Sequence, residues 1–213
     1  MRYIIMCGGQ YTDWQIPRQM TEICGEPIVA RTIRLLKERG VDDIAISSND
    51  PIFEQFGVPM LKHKNGYTAD GELITGGYWF EAFYPTDEPT CYMFGDVVFS
   101  PEAIKTIVET DTDDIELFAS APPFADGYIK PWAEPFALKV RNAEHLKHAI
   151  SCTRQFAEQG LFQRSPIMWE LWQVIQAAPL NFIDYNSYTA INDYTCDIDR
   201  KEDAAKIVKT SNR

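Results

Sequence analysis

Three aspartates in this chain stand where a hard cation could be held. Asp96 follows the apolar run Thr90-Cys-Tyr-Met-Phe94 and a glycine, Gly95. An apolar strand ending in Gly-Asp places a carboxylate at the edge of a sheet. Such a position suits Mg²⁺, which keeps several waters and takes one or two protein carboxylates together with substrate phosphates. An Asp there also suits a turn in which it bonds its own backbone. Asp197 and Asp199 alternate in Cys196-Asp-Ile-Asp-Arg-Lys-Glu-Asp203, so on a strand they share one face. Asp199, with Glu202 three residues later, reads equally well as the opening of a helix with a capping box.

A second group of residues suits an anion. The first apolar run, residues 3–7, ends in Gly8-Gly9, and Pro17-Arg18 follows after a loop. Glycines let backbone N–H groups approach an anion closely, and a cation beyond the loop completes a phosphate cradle. A glycine-rich turn with a surface arginine is the plainer account of the same residues. Lys139 and Arg141 share one face of a predicted strand, where they could neutralise a phosphate or stand as solvated cations.

The elements that must position these groups alternate between strand and helix. Residues 3–7 read as a buried strand leading into a tight loop. Residues 27–39 read as a helix, with Pro27 at its first position, Gly40 just past its end, and Val29, Ile33 and Leu36 on one face. A strand over 43–48 completes a βαβ unit and so implies a parallel sheet. Further helices are expected over 72–83, from Pro101 (capped by Ser100) to about Thr110, over 144–158, over 167–177 and over 202–209. Further strands are expected over 90–94, 115–121, 136–140 and 181–184. The layer class is three-layer α/β, a mostly parallel sheet between helices. Ligands in such sheets bind outside the carboxyl ends of the strands, where Gly8-Gly9 and Asp96 fall.

Composition narrows the function classes. The chain has 213 residues and a formal net charge of −11. That length suits a single domain over 1–213 and buries roughly 70% of the unfolded surface, with no need of disulfides or a structural metal. The acidic balance disfavours a nucleic-acid polymer as partner, yet a local cation can still hold a nucleotide's phosphates. Five cysteines, Cys7, Cys24, Cys91, Cys152 and Cys196, form no CxxC pair and read as reduced thiols of a cytoplasmic protein. No apolar run approaches the roughly 18 residues of a membrane span, so no membrane partner is expected. The aromatic stretch Met168-Trp-Glu-Leu-Trp172 suits a core or a homodimer surface better than a ligand cage. His63, His145 and His148 have no metal-ligand spacing.

Taken in order, three segments resemble the nucleotidyltransferase superfamily, the glycosyltransferase-A-like fold of sugar-phosphate, phosphocholine and molybdopterin nucleotidyltransferases. They are IIMCGG…PRQMTEICGEPIVARTIRLL, VDDIAISS and YMFGDVVFSPEAI. The tail DIDRKEDAAKI is similar to the family's closing "D-T-P-E-D-L". The resemblance covers roughly the first half and the last 20 residues. It implies a nucleotide-diphospho-sugar transferase-like three-layer α/β/α sandwich with a mostly parallel mixed sheet.

The resemblance also implies an Mg²⁺-dependent enzyme. A nucleoside triphosphate would give its nucleoside monophosphate to a small phosphorylated acceptor, a sugar phosphate or a phosphocholine-like molecule, with release of pyrophosphate. Cys7, Gly8, Gly9, Gln10 and Gly95 would lie against the nucleotide. Arg18 occupies the family's phosphate-binding Lys position. Asp96 would be the first metal ligand and Asp199 the second, with Asp197 as an alternate. The stretch 126–141 would face the acceptor through Tyr128, Lys130, Trp132 and Glu134, and Lys139 would add positive charge to the reaction.

The chain departs from the family at three places. Residues 10–16 lack the extra Gly and Arg that many members carry, Arg replaces Lys at position 18, and Arg200-Lys201 replaces Thr-Pro. The same fold also serves glycosyltransferases that use a nucleotide sugar, which usually carry Asp-x-Asp where this chain has only Asp96. It could equally serve a non-catalytic nucleotide-binding protein.

Overall fold

Hydrophobic periodicity sets the frame. In the computed structural model, which describes residues 1–8, 16–62, 78–120, 133–183, 185–200, 202–205 and 207, a seven-stranded sheet forms from the runs that read as buried strands. They are β1 (Arg2–Met6), β4 (Ile44–Ser47), β5 (Met60–Leu61), β6 (Thr90–Phe94), β8 (Ile115–Ser120), β9 (Glu134–Val140) and β10 (Thr189–Ala190). Their order across the sheet is β10-β8-β9-β6-β1-β4-β5. Four short strands lie outside that sheet: β2 (Glu22–Ile23) pairs with β3 (Glu26–Pro27), and β7 (Val97–Val98) with β11 (Cys196–Asp197).

The sheet is parallel except at β9, which runs antiparallel to both β6 and β8. All five residues of β6 are buried, as are the last five of β9. Continuous burial without alternation is the mark of strands covered on both faces. The cover comes from two helix pairs, α1 (Ile28–Glu38) with α2 (Pro101–Glu109) and α3 (Ala143–Glu158) with α4 (Met168–Ile175). The fold is the three-layer α/β/α sandwich with a mostly parallel mixed sheet that the strand-helix alternation implied.

Local signals account for most of these elements. Helix α1 follows Pro27 and buries Val29, Ile33 and Leu36. It stops where Gly40 takes a φ of +75°, a left-handed conformation that costs a glycine little. The Ser100 hydroxyl accepts from the Ala103 N–H at 2.8 Å and caps α2. At the start of α3 the Asn142 side chain does the same for His145 N–H at 3.1 Å.

Two expected elements differ. No strand forms over 181–183, and residue 184 lies outside the described residues. The Gln173 side-chain amide donates to Pro179 O and Phe182 O at 2.7 and 2.6 Å, which ties this segment to α4 instead of to a sheet edge. The edge position goes to β10, which continues the sheet beside β8. Of the helix expected over 72–83, the described part is one 3-10 turn, Trp79–Ala82, and residues 72–77 lie outside the described set. Edge-to-face contacts of Trp79 with Phe94 and of Phe83 with Tyr92 hold that turn against the sheet. Residues 202–205 are helical, as expected of the closing segment.

Candidate active site

The carboxyl edge of the sheet is crowded because β1 and β6 end side by side. The Gly95 N–H donates to Met6 O at 3.1 Å, and Cys7 is fully buried beside it. Beyond this contact the chain emerges at Asp96 and makes β7. Strand β11 pairs with β7 antiparallel, placing Asp197 opposite Val97, and Ile198 N–H donates to Asp96 O at 2.9 Å. Ile198 is fully buried in a small cluster with Ile23, Ile28, Val98, Cys196 and Ile207. With Ile198 pinned inward, its neighbours Asp197 and Asp199 both turn outward, the shared face that strand alternation requires. A tail about a hundred residues downstream in the sequence is thereby brought to Asp96.

The reversed strand β9 contributes a fourth carboxylate. Because β9 opposes β6, its first residue, Glu134, lies at the edge where β6 ends. The side chains of Glu134, Asp197 and Asp199 offer oxygens that all lie within 4.8 Å of one another. Asp197 N–H donates to Glu134 Oε2 at 3.4 Å. Glu134 was expected against the acceptor, and the structure sets it in the acidic cluster.

Arg18 is the counter-charge. It opens a 3-10 turn, Arg18–Met20, after Pro17. Its Nη1 lies 3.4 Å from Asp199 Oδ1, 3.7 Å from Asp96 Oδ2 and 3.3 Å from Ile198 O. One guanidinium does not neutralise this group. Burial, then the charge of Asp197, push the Asp96 carboxyl up to about 6, with Arg18 pulling the other way and Asp199 adding to the rise. The oxygens close enough to share a divalent cation are those of Glu134, Asp197 and Asp199, with Asp96 beside them in the cavity lining. The donors are all hard oxygens, the set preferred by Mg²⁺ or Mn²⁺ over softer ions.

These groups line a cavity of about 400 Å³. The rest of its lining is largely apolar and includes Phe94, Trp79, Ile167, Met168, Trp169 and Tyr185, with Arg164 among them. The volume lies in the range of small-molecule sites.

The remaining expected residues divide clearly. Gly8 is exposed just beyond β1. Cys7 is packed under the site, and burial together with the Asp96 charge raises its thiol well above the ordinary range. It is a neutral packing residue. Gly9, Gln10, Tyr128, Lys130 and Trp132 lie outside the described residues.

Lys139 is not at the site. Its register partner on β6 is Cys91, five residues from Asp96, and its ammonium donates to Thr110 O at 2.5 Å and Val108 O at 3.3 Å. It caps the carboxyl end of α2 from beneath, where a cation complements the helix dipole. Arg141 is exposed and pairs with Asp111 at 2.9 Å. Lys139→Met therefore lowers stability by about 1–2 kcal/mol, from two helix-end carbonyls losing their donor, and leaves nucleotide affinity unchanged. Urea denaturation and nucleotide titration of the same variant read the two effects separately. A loss of affinity without a loss of stability would return Lys139 to the site.

Sequence reasoning missed Trp79, Arg164, Ile167, Met168 and Tyr185 as cavity residues. The stretch 168–172 gave a partial signal. Trp169 and Trp172 are buried as core residues, and Trp169 donates its indole N–H to Ala133 O at 3.2 Å while lining the cavity. Arg164 had no sequence signal.

The fold is that of the nucleotidyltransferases, with an arginine and a set of acidic groups at the carboxyl edge of a mixed sheet. No family model matches the sequence, and no curated protein matches it. Solved structures do. The chain superposes on the inositol-1-phosphate CTP transferase of T. maritima with a TM-score of 0.57 at 13% identity, over 99% of this chain and 96% of that one. It superposes on the CTP:phosphocholine cytidylyltransferase of Streptococcus pneumoniae with a TM-score of 0.54 at 14% identity, over 98% and 97%. The 4-diphosphocytidyl-2C-methyl-D-erythritol synthase of Anaerococcus prevotii gives 0.57 at 12% identity, over 100% and 98%. At these identities the likeness establishes the fold over the whole described length. Among the described residues, no helix is long and apolar enough to cross a membrane.

Proposed function

We propose that this protein is a divalent-cation-dependent nucleotidyltransferase, working as one domain, that joins the nucleoside monophosphate of a triphosphate to a small phosphorylated acceptor. The observation that carries this reading is the convergence of Asp96, Glu134, Asp197 and Asp199 with Arg18 in the lining of one cavity. Two of the structural neighbours named above are a CTP transferase for inositol 1-phosphate and a CTP:phosphocholine cytidylyltransferase. A sugar or polyol phosphate and a phosphocholine-like molecule are accordingly the acceptor classes to test.

The chemistry is a displacement at phosphorus. An oxygen of the acceptor's phosphate forms a bond to the α-phosphorus, the bond from that phosphorus to the β-bridging oxygen breaks, and pyrophosphate leaves with the electron pair. A phosphate nucleophile is already ionised, so no general base is needed, and among the described residues no histidine lines the cavity. Catalysis then rests on positioning and on charge. Mg²⁺ held by Asp96 and Asp199, with Asp197 and Glu134 beside them, would supply Lewis acidity and a template for the phosphates. Arg18 would leave the carboxylates to bind the triphosphate, and Gly8 would offer the approach along which the phosphates lie. The carboxylate cluster repels an unaccompanied triphosphate, which makes nucleotide binding depend on the cation.

The test is a thermal-shift panel of ATP, CTP, GTP and UTP, each with and without Mg²⁺. A nucleotide at about 100 times its dissociation constant stabilises by about 2.7 kcal/mol, a shift of several degrees at this size. The expected result is one nucleotide that stabilises only with Mg²⁺. Absence of a shift with all four would remove the nucleotide from the reading. Nucleotide binding with no pyrophosphate release over a broad panel of acceptors would make the protein a nucleotide-binding protein without turnover.

A further inference from the structure

Among the described residues, the cavity lining holds a second cation besides Arg18. Arg164 lies in the segment between α3 and α4, half exposed, and lines the cavity beside Trp169, Ile167 and Tyr185. Its Nε donates to Glu170 Oε1 at 2.5 Å. Glu170 is on α4, and its side chain is only 3% exposed. The other oxygen, Oε2, accepts the Ile167 N–H at 2.9 Å, in the position of a capping box. The carboxylate is therefore locked by backbone on one side and holds the guanidinium by a single edge on the other. Among the described residues, the two terminal nitrogens of Arg164 have no partner.

An arginine gripped at Nε presents a planar pair of terminal donors, which match two oxygens of a phosphate. Holding the fork in advance removes part of the ordering cost that a free side chain would incur on binding. Around it, Trp79, Trp169 and Tyr185 give flat apolar surface. Trp79 is 38% exposed although it lines the cavity, so its ring is available to a ligand. Among the described residues, neither Arg164 nor these rings forms a hydrogen bond or ion pair with Arg18 or with Asp96, Glu134, Asp197 or Asp199.

We infer that Arg164, positioned by buried Glu170, is the anion anchor of the acceptor, and that Trp79, Trp169 and Tyr185 form the wall against which the acceptor's body lies. The inference rests on the nucleotidyl-transfer reading for the word acceptor, but not for the anion site itself. The acceptor class this defines is a small phosphate ester with a flat or ring-shaped face, such as a sugar phosphate.

Removing Arg164 alone would strand the buried Glu170 charge and risk the fold. The test therefore uses the double variant Arg164→Met with Glu170→Gln, in which glutamine retains an acceptor for the Ile167 N–H. The probes are inorganic phosphate, glucose 1-phosphate and phosphocholine, titrated by calorimetry into wild type and double variant, with Mg²⁺·nucleotide titrated in parallel. The expected result is phosphate binding to the wild type that weakens about tenfold or more in the double variant, the loss of charge-assisted hydrogen bonds. Glucose 1-phosphate should bind more tightly than phosphate or phosphocholine, and nucleotide affinity should be retained. Equal phosphate affinity in the two proteins, or no phosphate binding by the wild type, would overturn the inference and leave Arg164 as the counter-ion of Glu170. Tighter binding of phosphocholine than of glucose 1-phosphate would overturn the acceptor class. Loss of nucleotide binding in the wild type is a separate result, which bears on nucleotidyl transfer and not on Arg164.

Discussion

Asp96→Asn is expected to abolish Mg²⁺-dependent turnover and, in the same variant, to raise the melting temperature of the ligand-free protein above pH 7. The two effects have one cause. Burial and the nearby Asp197 carboxylate hold the Asp96 carboxyl at about 6, up from an ordinary 3.8. The folded protein thus binds this proton more tightly than the unfolded chain does. Its contribution to stability is present below about pH 4, is lost as pH rises to about 6, and stays lost at neutral pH. Asparagine is neutral throughout and removes that loss. A shift of this size corresponds to about 3 kcal/mol at most. The side chain is 26% exposed, and solvent screening reduces the gain to on the order of 1–2 kcal/mol, several degrees at this size. Turnover should fall by about 10³-fold, as when a group that fixes transition-state charge is removed. Melting curves at pH 4 and pH 8 check the stability: the variant should gain at pH 8 and not at pH 4. A variant less stable than wild type at both pH values would make Asp96 a turn residue, not a strained ligand.

Gly95→Ala is expected to destabilise the protein by about 3 kcal/mol and to weaken nucleotide binding with it. A methyl group at Gly95 would sit 2.3 Å from Met6 O and 2.9 Å from Cys7 Sγ. The first contact is with strand backbone, which cannot turn aside as a long side chain can. Relief requires β6 to part from β1 at its carboxyl end, breaking the bond from Gly95 N–H to Met6 O. Overpacking of this kind typically costs about 1–3 kcal/mol, and backbone contact places this case at the upper end. Asp96 is the next residue and would move with the strand. Chemical denaturation and nucleotide titration should therefore change together. A variant of wild-type stability would show that the two strand ends can separate freely, and the tight junction beneath the site would lose its role.

Most secondary structure was legible because its signals are local. The helix after Pro27, the Ser100 cap and the apolar run at 90–94 each depend on neighbours a few residues away, and each formed within two residues of its expected bounds. The shared face of Asp197 and Asp199 was also legible, since alternation along an extended chain needs no other information. What the tail would pair with was a matter of resemblance, and the bond from Ile198 N–H to Asp96 O is a tertiary fact.

Other features depended on direction and on partners far along the chain. Glu134 joins the carboxylates because β9 runs against its neighbours, and the residues of β9 are the same whichever way it runs. Lys139 could be placed on a face of β9 from alternation, but the helix end waiting under that face could not. The apolar segment at 181–183 was drawn from a strand into a loop by Gln173, a polar residue on a buried helix. Arg164 read as one arginine in a connecting segment until α4 placed Glu170 beneath it. The sequence by itself determined most of the strands and helices and the sheet edge at which Gly8 and Asp96 fall, because periodicity and caps act over one or two turns. The tertiary structure alone decided which charges meet, because a carboxylate's partner is chosen by strand order and direction, and those are set by the burial of the whole sheet.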